Sequence, residues 1–119
     1  MTIPSGGGSE VLMGDDIAAM SNSPVSTLIT GEANHIYTVV SITFCEQGDQ
    51  SNERIRLYLT DTDGSSNPIY LLMDQAIGAQ ETFVWNDRFS WQGTQKLIAH
   101  TLASADIDVH VMWIEQDWG

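Results

Sequence analysis

The stretch from His35 to Cys45, His-Ile-Tyr-Thr-Val-Val-Ser-Ile-Thr-Phe-Cys, most constrains what this chain can fold into. It runs without Gly, Pro, Asn or Asp, and most of its residues are β-branched or aromatic. Such side chains lose rotamer freedom in a helix but pack well on a pleated, half-buried surface. At period two, one face carries Ile36, Thr38, Val40, Ile42 and Phe44, and the other Tyr37, Val39, Ser41, Thr43 and Cys45. The first face is apolar enough for a core, and the second is mixed. The pattern predicts a central strand of an antiparallel sheet.

A chain of 119 residues is one domain and buries a core without covalent staples. Sixteen acidic residues against four basic ones give a formal charge of −12. That surface repels phosphate backbones and anionic lipid, which argues against nucleic acid and membrane as partners. The single cysteine, Cys45, excludes an intrachain disulfide and a thiolate cluster, and its place in the strongest strand reads as a small buried hydrophobe. With no leader-like N-terminus and no apolar run of membrane length, the chain reads as made and kept, or assembled, in cytosol.

Residues 1–24 differ from the rest and read as a flexible N-terminal arm, ahead of a sandwich domain over 25–119. Ser5-Gly6-Gly7-Gly8-Ser9 has almost nothing to pack and high backbone entropy. Val11, Leu12 and Met13 follow, then Ile17 to Met20 after Gly14-Asp15-Asp16, with Asp15 a candidate N-cap for a single helical turn. Ser21-Asn22-Ser23-Pro24 restarts the chain in extended form. Apolar residues on such a leash either fold back over their own sheet or dock on a neighbouring subunit.

From Val25 onward strand patterns alternate with turn signals. Strands are expected at 25–30, 35–45, 53–60, 69–73, 81–87, 88–91, 96–102 and 106–115. Ile55, Leu57 and Leu59 point inward in the third, Phe83 and Trp85 in the fifth, and Val109, Val111 and Trp113 in the last. About eight short strands at regular spacing, with no long helix, indicate an all-β, antiparallel β-sandwich of jelly-roll-like form.

Chemistry-bearing motifs are weak. Asp61-Thr62-Asp63-Gly64 opens like a calcium loop, but Ile69 and Tyr70 stand where the closing Glu is needed, so it reads as a turn. Asp106, Asp108 and His110 share one face of a strand, with His100 on another; a solvated polar stripe is the commoner explanation. No nucleophile elbow or phosphate-cradling loop is present, so no enzyme, cofactor or metal is expected. Of four tryptophans, Trp85 and Trp113 fall at core positions, leaving Trp91 and Trp118 for a partner surface or a carbohydrate platform. The candidate partner-binding set is therefore Val11, Leu12, Met13, Ile17, Met20, Trp91 and Trp118.

Several segments together resemble the small all-β structural proteins of tailed bacteriophages. They are Leu28-Ile29-Thr30, His35 to Ile42, Arg56-Leu57-Tyr58-Leu59, Ile69-Tyr70-Leu71-Leu72, Glu81 to Asp87 and Asp106 to Val111, preceded by the Ser5 to Leu12 arm. The resemblance covers roughly residues 5–117 and consists of strand patterns without a catalytic signature. It implies a non-enzymatic virion protein assembled in the host cytoplasm, above all a capsid decoration (cement) protein. Its partners would be the major capsid protein or tail proteins and further copies of itself, a trimer being one form. A tail or head–tail component of the virion, or a carbohydrate-binding module, is the alternative.

Overall fold

The computed structural model describes residues 9–20, 25–48, 53–102 and 107–117. Nine strands form two antiparallel sheets packed as a sandwich, with no helix among the described residues. They are β1 (Ser9–Met20), β2 (Ser26–Thr30), β3 (His35–Glu46), β4 (Glu53–Thr60), β5 (Ile69–Ile77), β6 (Thr82–Trp85), β7 (Phe89–Gln92), β8 (Lys96–Thr101) and β9 (Ile107–Asp117). One sheet runs β1-β9-β3-β6, with β7 also on β3; the other runs β2-β8-β4-β5. Successive strands mostly alternate between the sheets, the winding of a jelly roll.

The core lies between the sheets. Ile55 and Leu57 of β4 and Leu97 and Ala99 of β8 meet Phe44 of β3 and Val109 and Val111 of β9. The alternation read in 53–60 holds, with Ile55, Leu57 and Leu59 in the core; Trp113 joins it, and Phe83 and Trp85 pack against it. The turn that delivers the chain into β3 depends on Gly31. Its N–H donates to the Gln95 carbonyl at 2.9 Å, and any Cβ there would collide with the carbonyl oxygens of Gly93 and Gln95.

β3 is the central strand expected, flanked by β9 on one side and β6 and β7 on the other. Its faces need a correction. A bulge between Val39 and Ser41 adds one residue opposite β9, so the parity reverses there. Ile42 and Phe44 point inward as expected, but before the bulge it is Tyr37 and Val39 that enter the core, leaving Thr38 and Val40 half-buried outside it. The partner strand breaks at the same level: β6 ends at Trp85 opposite Ile42, and β7 begins at Phe89 opposite Val39. The strands expected at 81–87 and 88–91 are thus two separate ones, β6 and β7.

The ninth strand is β1. No helical turn forms at Asp15–Met20, because these residues extend along the edge of β9, which satisfies their backbone groups in a ladder. A single capped turn has no comparable compensation for its nucleation cost. β5 is also longer than expected, reaching Ile77 past a bulge where Asp74 takes a positive φ of 57°.

Candidate functional site: the exposed end of strand β1

The register of β1 on β9 sets which way its apolar residues face. Val11, Met13 and Ile17 stand opposite Glu115, Trp113 and Val109, hence toward the inner face; Leu12 stands opposite Ile114, toward the outer face. Facing inward does not bury the first two. Val11 is 50% exposed and Met13 38%, because β1 spans 12 residues whereas β2, which it meets across the sandwich, has 5. Leu12 is 61% exposed, beside half-buried Met112 and Ile114 on the outer face. The first half of β1 thus presents apolar side chains on both faces, on a strand at the edge of its sheet. An edge also offers unpaired backbone groups to any further strand.

The other half of β1 is anchored. Met20 is 1% exposed and belongs to the core, and half-buried Ile17 packs against it. A register shift between Ile17 and Met20 and a left-handed Ala19 (φ 54°) turn the strand end inward. Asp108 Oδ1 holds that turn, accepting from Ala19 N–H at 3.0 Å and from the Gln47 side-chain amide at 3.0 Å.

The remaining sequence candidates fall elsewhere. Trp91, expected at a partner surface, is 6% exposed: the parity reversal of β3 turns the paired Tyr37–Trp91 inward, and Trp91 stacks on Tyr37 at 5.1 Å and Phe89 at 6.1 Å. Trp118 and Asp106 lie outside the described residues. Cys45, expected to be buried, is half-buried on the outer side, in the wall of a groove of about 350 Å³ with Asp16, Ala18, Thr43, Asp108 and His110. His110 Nδ1 meets Asp16 Oδ1 across that groove. Among the described residues no group of three or more His, Cys, Asp or Glu could hold a metal ion.

The loop at Asp61–Pro68 is a turn, as its sequence reads. Asp63 Oδ1 accepts from the N–H groups of Ser65 (2.9 Å) and Ser66 (2.8 Å), and Asp61 from the Asn67 amide (2.6 Å). The Ser66 hydroxyl first, then the Ser65 and Ser66 N–H groups, pull the Asp63 carboxyl down to about 2. Sequence reasoning missed a second exposed apolar set, Ile69 and Met73 on β5 and Val84 on β6. Val84 could have been found from the alternation of 81–87, but the β5 pair is hidden by irregular register.

No protein-family model and no curated protein matches the sequence. Solved structures do match in shape. A chain from Bacillus endospore appendages, described as disulfide-linked pili, superposes with a TM-score of 0.54 at 10% identity, covering 100% of this chain and 97% of that one. A chain of infectious bursal disease virus, Gx strain, gives 0.53 at 10% identity, covering 94% of this chain and 33% of its own. The T13 viral particle of the same virus gives 0.52 at 8% identity, covering 96% and 36%. The chain shares their fold. It spans about a third of the length of the viral chains and nearly the whole of the appendage chain. No helix among the described residues is long and apolar enough to cross a membrane.

Proposed function

We propose that this chain is a non-enzymatic structural protein of a phage virion, a decoration (cement) protein that binds the particle as a homo-oligomer. In this reading residues 25–119 form the body, and the arm of residues 1–24 is the connecting element, through Val11, Leu12 and Met13. The observation that carries the reading is the first half of β1: an edge strand with apolar side chains exposed on both faces, at the end of a jelly-roll sandwich. Isolated exposed hydrophobics are ordinary, but consecutive ones on an unpaired edge mark a contact surface. The shared fold with chains from a viral particle and a pilus supports the reading, as does the sequence resemblance to phage structural proteins. The mechanism is area burial: about 25 cal/mol per Å² of apolar surface, repeated over many copies, strengthens a shell without chemistry.

Virions purified from cells that make the chain should carry it in fixed ratio to the major shell protein, visible by mass spectrometry and as density on imaged particles. A variant combining Val11→Ser, Leu12→Ser and Met13→Ser should fold with unchanged β content yet leave particles bare. Virions devoid of the wild-type chain would overturn the reading. Particles that take up the triple variant as well as the wild type would move the contact off β1.

A further inference from the structure

The two margins of the sandwich differ in charge. β1 meets β2 across the sandwich, so these strands mark one margin. β5, at the other end of the β2 sheet, and the β6 and β7 side of β3 mark the opposite one. β1 and its ladder partner β9 carry Glu10, Asp15, Asp16, Asp108, Glu115 and Asp117, with no lysine or arginine. All three arginines of the chain stand toward the far margin, Arg54 and Arg56 on β4 beside β5, and Arg88 between β6 and β7.

The far margin is also apolar, since Ile69, Tyr70 and Met73 of β5 and Val84 of β6 are exposed there. Two of its carboxylates are engaged locally. Asp74 accepts from Arg56 Nε at 2.7 Å, and Glu81 accepts from the Gly78 N–H. Arg54 and Arg88 are exposed, Arg54 donating to the Asp74 carbonyl at 3.4 Å and Arg88 adjoining Asp87 in sequence. The far margin is therefore mixed in charge where the β1 margin is uniformly negative, and both expose apolar side chains. Being at opposite sides of the sandwich, the two cannot meet within one copy.

We propose that copies of this chain associate head to tail, the exposed β1 end of one packing on the β5–β6 margin of the next. The proposal rests on the reading of Val11 to Met13 as a contact and adds what they meet. Charge decides between the candidate occupants. Two β1 edges set against each other would bring Glu10, Asp15 and Asp16 toward their own copies, with no lysine or arginine on β1 or β9 to offset them. Against the far margin the same carboxylates meet Arg54 and Arg88, while Val11, Leu12 and Met13 meet Ile69, Met73 and Val84. Four basic residues cannot cancel sixteen acidic ones, so copies still repel at a distance and salt still tightens the contact. The arrangement selects which margins touch. Register shifts along β5, with Asp74 at positive φ, break the ladder that a further strand would need, so side chains and not a continuous sheet make the joint. A joint between two different surfaces closes into a ring or runs on as a chain of copies.

Mixing two defective variants of the full chain tests this, with sedimentation as the readout. The combined Val11→Ser, Leu12→Ser and Met13→Ser variant lacks one half of the joint, and an Ile69→Ser, Met73→Ser variant lacks the other. All five side chains are exposed, so both variants should keep the wild-type melting temperature. Each alone should stay a 13.1 kDa monomer under conditions where the wild type associates. An equimolar mixture should give a species of twice that mass and none larger, because one intact β1 end and one intact β5 margin remain for a single joint. Arg54→Glu, a change at an exposed charge, should need on the order of tenfold more protein to reach half-association at the same salt. A β5 variant or an Arg54→Glu variant that associates as the wild type does would overturn the proposal. So would a mixture that stays monomeric, or a wild type that is monomeric at every salt concentration. Uptake of the chain by virions is a separate readout, so failure of the joint and failure of virion binding are told apart.

Discussion

Val39 and Val40 are the same residue type side by side, yet the bulge gives them opposite places in the molecule. Val39 is fully buried among the core side chains, whereas Val40 sits half-buried at the extra position. Val39→Asp would strand a charge in the core and should cost about 3 kcal/mol or more. Val40→Asp can reach solvent and should cost about 1 kcal/mol. Urea melts of the two variants check this; equal costs would mean that the chain has no bulge at this level. The bulge was not legible because a period-two reading of His35–Cys45 contains no mark of an inserted residue. Thr38 and Val40 suit an inward face by type as well as Tyr37 and Val39 do. From Ile42 on, and throughout Glu53–Thr60, alternation is unbroken and faces could be read directly. Cys45 shows the converse limit, since its type suggested burial but its parity put it on the outer wall of the groove.

At the scale of elements, β1 is where sequence and structure part most. Its apolar residues stood out, but Gly14-Asp15-Asp16 interrupts their pattern, and its partner β9 lies near the other end of the chain. Local propensity holds no information about so distant a ladder. The arm was therefore legible as a distinct, apolar segment and as a candidate contact, but not as a strand of the chain's own sheet. Its two halves separate in consequence. Val11 to Met13 are exposed, whereas Met20 fills the core, so removing the whole element affects stability as well as contact. A chain beginning at Pro24 should keep its β-type circular dichroism, but lose about 2–5 kcal/mol with the buried Met20 side chain. Its melting temperature should fall by roughly 10–20 °C. An unchanged melting temperature would place Met20 outside the core, and complete unfolding would make β1 indispensable to the sandwich.

The whole molecule joins two opposed tendencies. A formal charge of −12 opposes contact between copies, while in the proposed reading the exposed end of β1 draws them, or a shell protein, together. Screening weakens the first far more than the second, so association should tighten as salt is raised, and more so at concentrations that favour oligomers. The four basic residues do not offset this, because three of them, Arg54, Arg56 and Lys96, lie on β4 and β8 in the other sheet. Arg56 is moreover engaged at 2.7 Å by Asp74. The most direct test of the account is analytical ultracentrifugation of the full chain against the combined Val11→Ser, Leu12→Ser and Met13→Ser variant, across salt and concentration. The account expects the wild type to sediment as an oligomer that strengthens with salt, and the variant, with its melting temperature unchanged, as a 13.1 kDa monomer. Identical sedimentation of the two at every salt concentration would contradict it.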